Sequence, residues 1–197
     1  MAKLKDRFVT VQLTLLSIVV ALVLEGLLGT LMAQPQWSAV TVIQALDVMA
    51  SALAMWLGFA YGISTVDKVP HIMDFLAPFG LLISLSLAVR FIGSEPLTAF
   101  LLCVAAGSII AASALWLDCL QASEAGLAGP TRQAKLLTTI GCWELVLAGL
   151  SQFTELTAIA VAGLLLVSTL TQIYGVRVTI GAWRFSLREA MAGSSAN

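Results

Sequence analysis

The chain has 197 residues, 59% of them hydrophobic and only 11% charged, with a formal net charge of −1 and a mean hydropathy of +0.98. A soluble domain carries roughly 25% charged residues, so this chain lacks the side chains to cover a water-facing surface and reads as a polytopic membrane protein. With no basic stripe to hold a phosphate backbone, the composition gives no support to a nucleic-acid partner.

The first apolar segment, Phe8–Met32, follows Lys3, Lys5 and Arg7. That charge pattern also opens signal peptides, but the run is too long for one and Leu31-Met32-Ala33 is a poor cleavage site, so a retained first span is expected. The second, third and fourth segments are Trp37–Ser64, Val69–Ile92 and Pro96–Gln121, and the fifth and sixth are Ala134–Phe153 and Leu156–Val176. Each reaches the ~20 residues that cross ~30 Å of hydrocarbon as a helix. Helices are required because backbone groups stay paired in lipid, and no ten-residue alternating pattern suggests a barrel. The expected fold is therefore all-α: a bundle of six transmembrane helices arranged as three hairpins, in a single transmembrane domain. Residues 177–192 mix Trp183, Phe185 and Leu187 with Arg184 and Arg188, as an interfacial or cytoplasmic helix would, and 193–197 read as a tail.

Charge sets the expected orientation. Lys3, Lys5, Arg7, Lys68, Arg132, Lys135, Arg184 and Arg188 fall at ends or turns on one side. The opposite turns, Gln34-Pro35-Gln36, Gly93-Ser94-Glu95 and Thr154-Glu155, contain no Lys or Arg. The positive-inside rule then places both termini in the cytoplasm, across a cell (inner) membrane. The longest loop, Ala122 to Gln133, is cytoplasmic in this scheme, and its length leaves no room for a soluble catalytic module. The turn between spans five and six rests on Gln152 to Glu155 alone, and one broken helix is the competing reading. A hairpin repeat is a second open question: Glu25 and Glu144 each lie twelve residues before the next span, but their flanks share little beyond Glu and Leu.

Three carboxylates sit inside the apolar runs: Glu25, Asp47 and Glu144. An ionisable group at bilayer depth costs roughly 2.5–3.5 kcal/mol on insertion scales and is usually kept for a use. Counting helix rise from the outer turns places Asp47 roughly 15 Å deep, Glu25 roughly 12 Å and Glu144 roughly 14 Å. By the same count Arg90 lies only about 6 Å from its outer turn. Helical spacing gives each carboxylate a face of small or polar neighbours: Thr14, Ser17 and Ala21 for Glu25; Gln44 and Ser51 for Asp47; Gly141, Ala148 and Ser151 for Glu144.

Two accounts compete for these groups. In one, Glu25, Asp47 and Glu144 form an acidic site for protons or cations, with Arg90 pairing or tuning it. In the other, each carboxyl is a packing contact that donates a hydrogen bond to a neighbouring helix, and Arg90 snorkels to the headgroups. Asp74, one turn after His71, and Asp118 are expected as solvated interfacial charges. Pro78 is expected to kink span three. The pairs Gly58/Gly62, Gly107/Ala111 and Ser108/Ala112 favour close helix contact within the chain or between subunits.

Enzyme signatures are mostly missing. No glycine loop cradles a phosphate, no lysine lies in mid-span, and Asp47 and Asp74 fall at different depths. Cys103, Cys119 and Cys142 show no CxxC spacing and read as buried apolar thiols, while the single histidine argues against a haem or zinc site. No cofactor and no metal is expected. The leading expectation is a proton or cation channel or small transporter in the lipid bilayer, as a homo-oligomer. The alternative is a non-catalytic subunit packed against a membrane-protein partner.

Overall fold

A computed structural model of the chain describes residues 2–65, 72–93, 97–121, 128–153 and 158–194. His71, Lys68, Glu95, Glu155 and residues 122–127 of the loop after span four lie outside the described residues. Six helices account for nearly all of the rest: α1 Ala2–Ala33, α2 Ala39–Thr65, α3 Met73–Arg90, α4 Leu97–Gln121, α5 Ala128–Phe153 and α6 Ala158–Ser194. All six are long and apolar enough to cross a membrane. Large apolar side chains such as Ile18, Leu28, Ile83, Leu150, Leu166 and Leu170 are exposed on the outside of the bundle, as lipid-facing surface requires. The protein is a six-helix integral membrane bundle.

Three helices clearly exceed the spans expected from hydropathy, and the first of them, α1, begins six residues before Phe8. The α5 helix begins six residues before Ala134, so Gln133 is helical rather than part of a loop. The α6 helix runs unbroken through Val176 to Ser194, so the membrane span and the expected interfacial helix form one rod. Backbone pairing explains this continuity: ending a helix leaves four carbonyls to satisfy, and no proline or glycine pair forces a stop near Val176.

Cross-helix contacts fix the directions. Gln133 and Glu144 on α5 meet Thr179 and Ser168 on α6 respectively, so the two helices are antiparallel and not one broken rod. Trp56 Nε1 donates to Ser17 Oγ between α2 and α1, and Trp116 Nε1 donates to Thr138 Oγ1 between α4 and α5. The short connections after α1 and α3 share one end of the bundle, where Gln34 Nε2 donates to the Ile92 carbonyl. We call this the turn end; α5 begins at the opposite, terminal end.

The two helices of each hairpin touch, but the most extensive packing is between α4 and α5 and between α2 and α6. The α2 helix contacts all five others and forms the centre. Small residues permit this. Gly141 of α5 lies so close to α4 that a Cβ there would come within 2.9 Å of Ile109 Cγ1. On α2, a Cβ at Gly62 would meet Leu115 at 2.7 Å and one at Gly58 would meet Gln133 Nε2 at 3.2 Å. The Gly58/Gly62 pair therefore packs within the chain.

Pro78 lies inside α3 without ending it. A proline has no N–H for the carbonyl four residues back, here that of Asp74. Gln12 on α1 supplies the missing donor: its Nε2 bonds the Asp74 carbonyl at 3.1 Å. Asp74 and Asp118 are themselves buried, at 2% and 3% exposure, which corrects their expected place at a solvated interface. The cause is helix packing: α1 covers the start of α3, and Asp118 Oδ2 lies 3.9 Å from the Cβ position of Gly62 on α2.

Candidate functional site

Asp47 comes from the first half of α2, Glu144 from the second half of α5, and both are at 0% exposure. Between them stands Ser168 of α6, also at 0%. Its Oγ lies 2.7 Å from Asp47 Oδ2 and 2.7 Å from Glu144 Oε1. A hydroxyl carries one proton, so it donates to one carboxyl and accepts from the other. The second bond needs a proton on the carboxyl that donates it. This arrangement therefore holds one proton between two carboxyls 97 positions apart in sequence (144 minus 47).

The remaining oxygens of the pair are not closed off. Asp47 Oδ1 and Glu144 Oε2 have no hydrogen-bond partner among the described residues. Nor do the hydroxyls of Ser51 and Ser108, and the Gln172 amide interacts with the Glu144 carboxyl beside it without reaching full hydrogen-bond geometry. All of these side chains are at 0% exposure. Ser51 is one turn beyond Asp47 on α2, and Gln172 is one turn beyond Ser168 on α6, beside the Glu144 carboxyl. Ser108 of α4 places its Cβ 3.4 Å from the Cβ position of Gly141, one turn from Glu144. Buried polar groups without partners cost free energy in proportion to the desolvation they have suffered, about 1–3 kcal/mol each. Several in one place, with two carboxyls, make a polar interior that suits a small cation, a proton or water.

Glu25 does not join this site. It is exposed on the outer face of α1, and α1 has the smallest buried share of the six spans. Counting depth put it at the right level, but depth says nothing about helix rotation. The sequence neighbours Gly26 and Gly29 have no atom within 4 Å of a Cβ position, so the small residues of this stretch face outward. Arg90 is also exposed, in the last turn of α3. A cation suits a helix C-terminus, and nothing in that position brings the guanidinium to the Asp47–Glu144 pair.

Ser168 and Gln172 were not singled out from the sequence. Their signal was available: Ser168, Gln172, Gly175 and Thr179 step by 4, 3 and 4 along α6, a helical stripe of the kind recognised on the other spans. Its residues are only weakly polar, and none is ionisable.

Ser168→Ala removes the bridge and leaves Asp47 and Glu144 without it. Loss of two hydrogen bonds to ionisable groups at zero exposure is expected to cost about 2–4 kcal/mol. Thermal unfolding in detergent measures it. Ser168→Thr, which keeps the hydroxyl, is expected to recover most of the loss.

The chain matches no protein-family model, no curated protein and no solved structure.

Proposed function

We propose that this chain is a channel or small transporter for protons or cations, with Asp47, Ser168 and Glu144 as its ion site. The observation that carries the reading is the pair of zero-exposure carboxyls joined through one hydroxyl in the centre of a membrane bundle. A site that holds one proton between two carboxyls can exchange it for a cation or pass it on, because each state leaves similar oxygens in place. The oxygens of Asp47, Glu144, Ser51, Ser108 and Gln172 that lack partners are hard donors of the type that binds small cations. Reconstitution into proteoliposomes tests the reading. Flux of protons or of an alkali cation, dependent on Asp47 and Glu144, is the expected result; purified, folded protein that moves neither against a dye readout would sink it.

The subunit reading has one observation in its favour, the exposed Glu25. A carboxyl facing hydrocarbon costs roughly 2.5–3.5 kcal/mol. A partner transmembrane helix with a hydrogen-bonding group at that depth would remove the cost, and the open space at Gly26 and Gly29 admits its close approach. On this reading, mild-detergent purification from native membranes yields a stoichiometric heteromer that Glu25→Leu dissolves. A wild-type protein that purifies free of other membrane proteins excludes it.

A further inference from the structure

The carboxyl pair is one rung of a longer polar column. Moving toward the terminal end, Gly58 on α2 is eleven residues from Asp47, Gln133 on α5 is eleven from Glu144, and Thr179 on α6 is eleven from Ser168. Three helices thus bring a second set of residues to one level, about 16 Å from the first. These residues do meet. Gln133 Nε2 donates to Thr179 Oγ1 at 2.6 Å and lies 3.2 Å from the Cβ position of Gly58. Gln133 and Thr179 are at 3% and 0% exposure.

Between the two levels lie the partnerless hydroxyl of Ser51 and the amide of Gln172, each one turn from the carboxyl pair. Beyond them come the apolar side chains of Leu137 and Ile140 on α5, each at 1% exposure, while Met55 at the same level of α2 turns its methyl toward Gly107 of α4. Ile140 Cδ1 reaches within 3.1 Å of the Cβ position of Gly175, and Leu137 Cδ1 within 3.7 Å of that of Gly58. Past the second level, Asp118 lies beside Gly62. In the other direction the column is tied shut. Gln44, one turn from Asp47, accepts a 2.8 Å hydrogen bond from the backbone N–H of Gly93, whose φ of +73° shapes the turn after α3.

We infer that the carboxyl pair is reached from the terminal end, along the α2 face that carries Ser51 and Gly58, with the Gly58–Gln133–Thr179 level as a second polar station. The inference rests on the ion-site reading of Asp47, Ser168 and Glu144. Ser51 and Gln172 take the ion from the pair, Leu137 and Ile140 form the dry constriction, and the Gln133 amide and Thr179 hydroxyl receive it beyond. Gly58 is the residue that leaves the Gln133 amide its place. The class of traffic is small: a proton, a bare cation or one with few waters, since Leu137 and Ile140 of α5 reach to within 3.7 Å and 3.1 Å of the Cβ positions of Gly58 on α2 and Gly175 on α6.

Thiol labelling tests the direction independently of flux. In a variant with Cys103, Cys119 and Cys142 replaced by alanine, single cysteines are introduced as Ser51→Cys, Thr179→Cys and Gln44→Cys. Silver ion, a thiol-reactive bare cation of the size the constriction admits, is applied to either side of sealed vesicles of known orientation, and blocked thiols are read by mass spectrometry. The expected result is modification at 51 and 179 only from the side where α5 begins, with position 44 unmodified from that side. Modification at 51 from the turn-end side, or from neither side, overturns the inference. Gly58→Ala on the otherwise natural chain gives a second measurement. The added methyl meets the far end of a flexible side chain, so the fold survives and the Gln133 amide is displaced. Flux is expected to fall about tenfold, the order for one displaced hydrogen-bonding group on a barrier; unchanged flux overturns the second station. If wild type carries no flux but labelling follows the expected pattern, the ion-site reading fails and the polar column stands.

Discussion

Asp47→Asn and Glu144→Gln are each expected to lower ion flux by at least about 100-fold, equivalent to roughly 2.7 kcal/mol on the barrier. Both substitutions keep the shape of the side chain. Both also keep the bridge, because an amide nitrogen can donate to Ser168 Oγ and the hydroxyl can then donate to the remaining carboxyl. Folding is therefore expected to survive, and the loss is one of a titratable group: the amide takes the place of the protonated carboxyl but can neither release a proton nor become a second carboxylate for a cation. An ion entering a site with no solvent contact loses its hydration shell, and a neutral amide returns less of that energy than a carboxylate does. The double variant is expected to be little worse than either single one, because the two residues act on one ion and their effects do not add. Glu25→Gln is expected to leave flux within about twofold, since Glu25 faces away from the site. Proteoliposome flux on the four variants and the wild type, with circular dichroism to confirm helical content, decides the matter. Wild-type rates in the Asp47 and Glu144 variants would reduce the pair to a packing contact. So would a loss of stability without any wild-type flux.

Gly141→Leu is expected to prevent assembly of the bundle or to destabilise it by about 3 kcal/mol or more, the upper range for overpacking. Gly141 sits at a close approach of α4 and α5. A Cβ there would stand 2.9 Å from Ile109 Cγ1, 3.4 Å from the Ile109 backbone nitrogen and 3.4 Å from Ser108 Cβ. A backbone atom cannot swing aside as a side-chain tip can, so relief requires moving a whole helix. The displaced pair is also the most extensively packed in the protein, and Ser108 and Glu144 lie within one turn of the contact. Gly149→Leu, on the same helix but with no atom within 4 Å, is the control and is expected to be nearly neutral. Thermal unfolding in detergent and size-exclusion profiles of the two variants make the comparison. Equal stability of both would show that the α4–α5 approach is looser than described.

The membrane class and the six helices were legible from the sequence because lipid imposes a one-dimensional rule. Every span must be about 20 apolar residues long with its backbone paired inside itself, and that length is countable. Boundaries were less legible. Gln133 and residues 177–194 are polar enough to read as loop or interface, yet both continue helices whose hydrogen bonding has no reason to stop. The candidate site was half legible. Asp47 and Glu144 stood out as carboxyls in apolar runs, and counting residues placed them at one depth. The same counting admitted Glu25, which the fold turns outward, and missed Ser168, whose hydroxyl is unremarkable in a span until it lies between two carboxyls. Arg90 fell at the end of its helix, too far along it for depth alone to pair it with the site.

By itself the sequence determined what must be buried in lipid, how often the chain crosses, and which polar groups sit at which level. These are properties of single helices, set by hydrophobic length and the 1.5 Å rise per residue. Only the tertiary structure decided which carboxyls meet. That choice depends on rotation and neighbour order, and these follow from where small residues let helices approach: Gly141 against α4, and Gly58 and Gly62 against α5 and α4. Those contacts turn Asp47, Glu144 and Ser168 toward one point and leave Glu25 facing out.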